Sequence, residues 1–248
     1  MQGIAAIAIG LLVVGSIVVG VRLLVLHFRT GAAPELLLGG MLLLAVGVGY
    51  PLMIATPRVS PAWAGTLQMI STLAVNTGFS LLFVFTWRVF QPQTAWARAL
   101  AAAGVLTLLA SAVQRGIQVT THGVLDVTSE PLSALLLQGG PVIVAYGWTA
   151  WESLRYHGMM RRRVRLGLAD AAVGNRFLLW GMMALVVNAG VIVNIVAIAM
   201  HTDTLDTPWV LLLSSTTGLT QVVLLVLTFL PPRSYLSWVR ARAAASGA

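Results

Sequence analysis

The stretch FLLWGMMALVVNAGVIVNIVAIAMHT, residues 177–202, carries no charged side chain over 26 positions. At a rise of about 1.5 Å per residue, an α-helix needs roughly 20 apolar residues to cross the ~30 Å hydrocarbon layer of a bilayer. Lipid offers no hydrogen-bond partner to a bare peptide group, so a segment of this kind must be a closed helix. Reading outward from it, further uncharged runs lie at 3–21, 36–57, 59–87, 99–114, 116–125, 131–151 and 207–232. The 116–125 run, with Thr120, Thr121 and His122, is too short and polar to cross. Seven spans remain, expected at about 3–26, 36–57, 64–87, 99–118, 131–154, 177–200 and 207–230. The expected architecture is an all-α polytopic membrane protein, a seven-transmembrane-helix bundle over 1–232 with a short cytoplasmic tail, 233–248, that has room for a brief interfacial helix.

Composition agrees. Of 248 residues, 58% are hydrophobic and 9% charged, with a mean hydropathy of +0.90. So few charges cannot solvate the surface of a soluble protein this size, and a bilayer must take up most of it. The absence of cysteine excludes disulfides, thiolate nucleophiles, Cys-ligated zinc and iron–sulfur clusters. All 15 cationic residues are arginine, which with the abundance of Ala, Gly, Leu and Val points to a GC-rich bacterial coding sequence and hence a bacterial inner membrane. The first charge follows the first apolar run instead of preceding it, so span 1 reads as an anchor and not as a cleaved signal. No repeat, low-complexity linker or second soluble domain is visible.

The net charge of +8 reads as membrane orientation and not as a nucleic-acid surface. Cationic loops are retained in the cytoplasm. With the N-terminus outside, 13 arginines fall inside and only Arg58 and Arg115 outside. Asp126, Glu130, Asp203 and Asp206 also fall outside. Trp63 and Trp209 mark the outer edge, and Trp87, Trp96, Trp151 and Trp238 the inner one, where amphipathic rings prefer to sit.

Several spans carry polar stripes. In span 3, Gln68, Thr72, Asn76 and Ser80 recur at steps of four, along about 18 Å of helix. Span 4 offers Thr107, Ser111, Gln114 and Gln118 on one face. Span 5 offers Gln138, Thr149 and Glu152, with Tyr146 at the margin, and span 7 offers Ser214, Thr217 and Gln221. Asn188 and Asn194 in span 6 point to different sides. Two readings stand. These groups are either interhelical hydrogen-bond glue, worth about 0.5–2 kcal/mol each, or the lining of a central polar cavity around Asn76, Asn188, Thr217 and Gln221.

Gly139, Gly140 and Pro141 interrupt span 5, where a proline removes an amide donor and crowds the carbonyl four residues back. The result is either a static bend or a hinge. Arg115 is the charge expected to be partly buried, with Glu130 or Asp126 as partner in an outer ion pair, against simple snorkelling. Glu152 is expected to pair locally with Arg155 near the inner interface. The segment from Glu152 to Arg176 reads as the longest cytoplasmic loop, with Arg161, Arg162, Arg163 and Arg165 interleaved with apolar residues. Such a segment should bind anionic headgroups, each cation contributing about 1 kcal/mol near the surface, or dock a cytoplasmic signalling partner. A homo-oligomer is also compatible with the pattern.

Seven spans, an outside N-terminus and about 250 residues resemble the layout of microbial rhodopsins and, more distantly, heptahelical receptors. The resemblance covers the whole chain as topology only, without a shared motif. Where that family holds retinal by a Schiff base to a lysine, this chain has no lysine, so covalent retinal is impossible. The carboxylates that its proton pumps use on span 3 are missing too. His27, His122, His157 and His201 lie at helix ends or in loops, which disfavours haem, and no metal-ligand cluster is expected. No HExxH, GxSxG or phosphate-loop pattern is present, so no enzymatic activity is expected. The leading expectation is a heptahelical sensor or receptor-like protein. It would bind a small or apolar ligand in the bundle, or sense the bilayer, and signal through the basic 5–6 loop. The alternatives are a small-solute or ion transporter or channel, and a non-enzymatic membrane subunit.

Overall fold

The computed structural model describes residues 2–124, 131–200, 202 and 207–245, excluding the side chains of Gln2 and His122. Their regular structure is entirely helical: α1 (Gln2–Thr30), α2 (Ala33–Arg58), α3 (Pro61–Phe90), α4 (Ala95–His122), α5 (Leu132–Arg165), α6 (Ala171–Ala199), α7 (Pro208–Phe229) and α8 (Arg233–Ala245). The first seven are long and apolar enough to cross a membrane. The chain is therefore an all-α polytopic membrane bundle.

Sequence signals explain most of the ends. Pro34, Pro61 and Pro208 stand in the first two positions of α2, α3 and α7, where the missing amide has no intrahelical partner to lose. Gly31 closes α1 at φ 70° and donates to the His27 carbonyl at 2.7 Å.

Neighbours in the chain pack against each other, α7 closes the ring on α1, and α3 also reaches α5. Phe79, Leu82 and Phe83 of α3, Leu108 of α4 and Leu225 of α7 fill the interior almost without exposure. On α1 the large apolar residues Ile4, Ile7, Leu11, Val14, Val18, Val21 and Val25 are exposed at alternating three- and four-residue steps, one face turned outward. In water that face would be a liability. In a bilayer it is the solvated surface.

Close approach of α2 and α3 depends on Gly78. A Cβ there would stand 2.7 Å from Ala45 Cβ and 2.8 Å from the Ala45 amide nitrogen. Small residues replace the hydrophobic effect as the means of helix association in lipid, because they let backbones touch.

Two features depart from expectation. The first is in α2, which is α-helical over Ala33–Met41, widens into a π-helix over Leu42–Gly49, and returns to α over Tyr50–Ala55. Pro51 has no N–H and its ring would crowd the Gly47 carbonyl in an α-turn, and wider turns before it relieve that crowding. Ser71 Oγ of α3 donates to the Gly49 carbonyl at 2.9 Å, where the wide turns end.

The second is the expected long 5–6 loop, which is not a loop. α5 continues to Arg165, 34 residues and about 51 Å, and only 166–170 separate it from α6. Nothing between Glu152 and Leu166 breaks a helix apart from Gly158, and Arg and Met favour one. The stop is Gly167, at φ 67°. Gly167 N donates to the Val164 carbonyl at 3.0 Å and Leu168 N to the Arg163 carbonyl at 2.9 Å, the paired hydrogen bonds of a Schellman ending.

Candidate functional site

A small, partly open cavity of about 20 Å³ lies between α1, α2, α5, α6 and α7. Its polar groups are Ser16 of α1, Tyr146 of α5 and Gln221 of α7. Met41, Leu42 and Val46, at the start of the π-helical stretch, and Met183 and Val187 of α6 supply apolar wall. Tyr146 is buried, its ring meeting Phe79 edge-on at 5.7 Å. A space of this size accommodates about one water molecule and no larger ligand.

Of the expected cavity residues, only Tyr146 and Gln221 line this space. Asn76 turns to α4 and donates to the Leu108 carbonyl at 2.9 Å. Thr72 and Ser80 bond back to the carbonyls of Gln68 and Asn76. Gln138 accepts from Arg115 Nη2 at 2.7 Å. Thr217 returns its hydroxyl to Leu213 and Ser214 and faces Gly190. Asn188 is half-buried beside Gly147, and Ser214 is half-buried outside the cavity wall. The span 3 and span 7 stripes therefore disperse over several contacts. Hydroxyls in a helix reach their own carbonyls more readily than a neighbour, and a stripe stepping by four residues winds about 40° per step.

Arg115 is buried, 6% exposed, in the bundle wall. The expected partners Glu130 and Asp126 lie outside the described residues. The helix continues through Pro141 without a break. Gly139 serves close packing, since a Cβ there would run into Ile195 Cδ1 of α6, whereas Gly140 faces open space.

Nearer the arginine-rich end a second polar cluster occupies the interior. Glu152 is 1% exposed, far more deeply buried than an interfacial local pair requires. Its Oε1 accepts from Gln91 Nε2 at 3.1 Å, and its Oε2 lies 3.6 Å from Arg155 Nη1. One turn earlier, the hydroxyls of Thr149 and Thr86 meet at 2.7 Å, tying α5 to α3. A buried carboxylate is costly unless paired and hydrogen-bonded, and each of these partners reduces that cost.

Beyond Glu152, the α5 extension carries Arg161, Arg162, Arg163 and Arg165 in helical register. Arg161, Arg162, Arg163 and Arg165 are exposed, as are Leu166 and Leu168 beyond them. α8 packs against α6 beside this arm. Asn175 Nδ2 donates to Tyr235 Oη at 2.8 Å, and Arg240 Nη2 lies 2.9 Å from Asp170 Oδ2. The Arg240 guanidinium and the Ala172 amide hold the Asp170 carboxyl below its ordinary value. An open groove of about 520 Å³ runs between the arm and α8, bordered by Arg165, Asp170 and Arg240. His27 and His157 each bond a backbone carbonyl, of Ala32 and Gly174, at 2.8 Å, and no metal-ligand group occurs among the described residues.

Ser16 and Thr86 are absent from the residues picked out of the sequence. Ser16 had a signal, as the one hydroxyl in the uncharged part of span 1. Arg22, an arginine near the end of span 1, donates to the Phe229 carbonyl at 2.9 Å and satisfies an end of α7. Thr86 had none, since its value lies in facing Thr149 across two helices. Comparison with family models, curated proteins and solved structures gives no match.

Proposed function

We propose that the chain is a non-enzymatic heptahelical membrane sensor, of the bacterial inner membrane, whose arginine-rich end faces the cytoplasm and whose N-terminus lies outside. One observation carries the reading. A single helix, Leu132–Arg165, runs from the outer end past the cavity residue Tyr146 and the buried Glu152 to the exposed arginines. Any tilt or rotation of α5 within the bilayer is delivered mechanically to the basic arm. Signals reach α5 through a small or apolar molecule at the bundle or through the state of the lipid, and the arm presents its charge to anionic headgroups or a cytoplasmic partner. The small volume between α1, α2, α5, α6 and α7, about 20 Å³, favours sensing over transport, since that space has room for no solute larger than water.

The test places nitroxide labels at Thr30→Cys and Leu166→Cys, both exposed at the arginine-rich end, and measures their separation in nanodiscs differing in acyl-chain length and anionic-lipid content. A shift in the distance distribution between lipids is expected. An invariant distance, together with solute flux in proteoliposomes, would replace the sensor with a transporter.

A further inference from the structure

Ser16 of α1 departs from the habit of most intramembrane hydroxyls, as Ser153 of α5 also does. Thr72, Ser80, Thr86, Thr149, Ser215 and Thr228 each donate to the carbonyl four residues back, at 2.6–2.9 Å. Ser16 has the Leu12 carbonyl available at the same spacing, yet its Oγ makes no hydrogen bond. The residue is 1% exposed and borders the central cavity. An orphaned hydroxyl in an apolar wall is costly, so its side chain needs a partner inside that space.

Tyr146 and Gln221 border the same space from α5 and α7. The tyrosine hydroxyl both donates and accepts a hydrogen bond, and glutamine offers an accepting carbonyl and a donating amide. A buried water needs two to four polar partners and a volume of at least about 10–15 Å³. The cavity, at about 20 Å³, meets the volume requirement, and Ser16, Tyr146 and Gln221 together meet the partner requirement. An entirely apolar hole of this size would stay dry.

We infer that this cavity is a binding site for a single water molecule, held by Ser16, Tyr146 and Gln221, that links α1, α5 and α7 at the centre of the bundle. The site is argued from the cavity's own geometry and holds whether or not α5, which passes it at Tyr146, transmits a signal. Lying beside the π-helical stretch of α2, it gives the interior a polar junction where side chains alone do not meet.

Two measurements on the full chain in nanodiscs test it. A structure at a resolution that shows ordered solvent is expected to place a density peak within hydrogen-bond distance of Ser16 Oγ and of Tyr146 Oη or the Gln221 amide. Thermal unfolding of Ser16→Ala is expected to show a midpoint lowered by about 2–4 °C, because the water loses a partner. A dry site predicts the reverse sign, since Ser16→Ala would then remove an orphaned hydroxyl. Empty density with a raised midpoint overturns the inference. If Ser16→Ala does not fold, the density in the unaltered chain decides alone.

Discussion

Lipid supplies no hydrogen bonds, so each polar side chain inside the bundle must find its own, and where it finds them was only partly legible. Residue type and register announced that Asn76, Gln138 and Gln221 turn inward, but not that they go to α4, to Arg115 and to the cavity respectively. Those destinations depend on helix rotation, which a span of nearly uniform hydropathy does not encode. Glu152 shows the energetic consequence of burial. Glu152→Gln keeps the size and the contact with Gln91 while removing the charge, and is expected to melt at or above the original midpoint. Glu152→Leu leaves Gln91 without its partner and is expected to lose about 1–3 kcal/mol, read by thermal unfolding in detergent. Asp170 supplies a pH dependence. Its folded carboxyl is held below the ordinary 3.8, so the stabilisation of α8 docking is complete above that value and lost as pH falls through the lowered one. Thiol labelling at Val239→Cys, buried in α8, should accelerate on acidification relative to a free cysteine labelled at the same pH, which corrects for the falling thiolate fraction, and Asp170→Asn should give the fast relative rate at neutral pH.

Helix existence was readable from charge-free runs because the bilayer imposes one length on every span. Helix ends were less so. A charge cluster reads as a loop, but arginine is a good helix former, and α5 runs on until Gly167 supplies a left-handed residue. The π-helical stretch of α2 was hidden for another reason: Pro51 announces a disturbance without stating whether the chain bends or widens. Packing between elements is set by small residues. Gly78→Ala forces α2 and α3 apart against the Ala45 backbone and is expected to destabilise by about 1–3 kcal/mol. Gly140→Ala, which meets open space, is expected to be close to neutral in the same unfolding assay.

The whole molecule joins a closed ring of seven spans to a basic platform built from the α5 arm and α8. Replacing Arg161, Arg162 and Arg163 with Gln removes three exposed cations at about 1 kcal/mol each, so affinity for anionic vesicles should drop about 100-fold while membrane insertion persists. An unchanged affinity would assign those arginines to topology alone. Placement of the platform in the cytoplasm is the claim on which the account depends, and the absence of cysteine makes it directly measurable. Single cysteines at Ser60, between α2 and α3, and at Ser234, at the start of α8, can be probed in intact cells with a membrane-impermeant maleimide. The account predicts labelling of Ser60→Cys from outside and of Ser234→Cys only after permeabilisation. Labelling of both from the same side, or the opposite assignment, would contradict it.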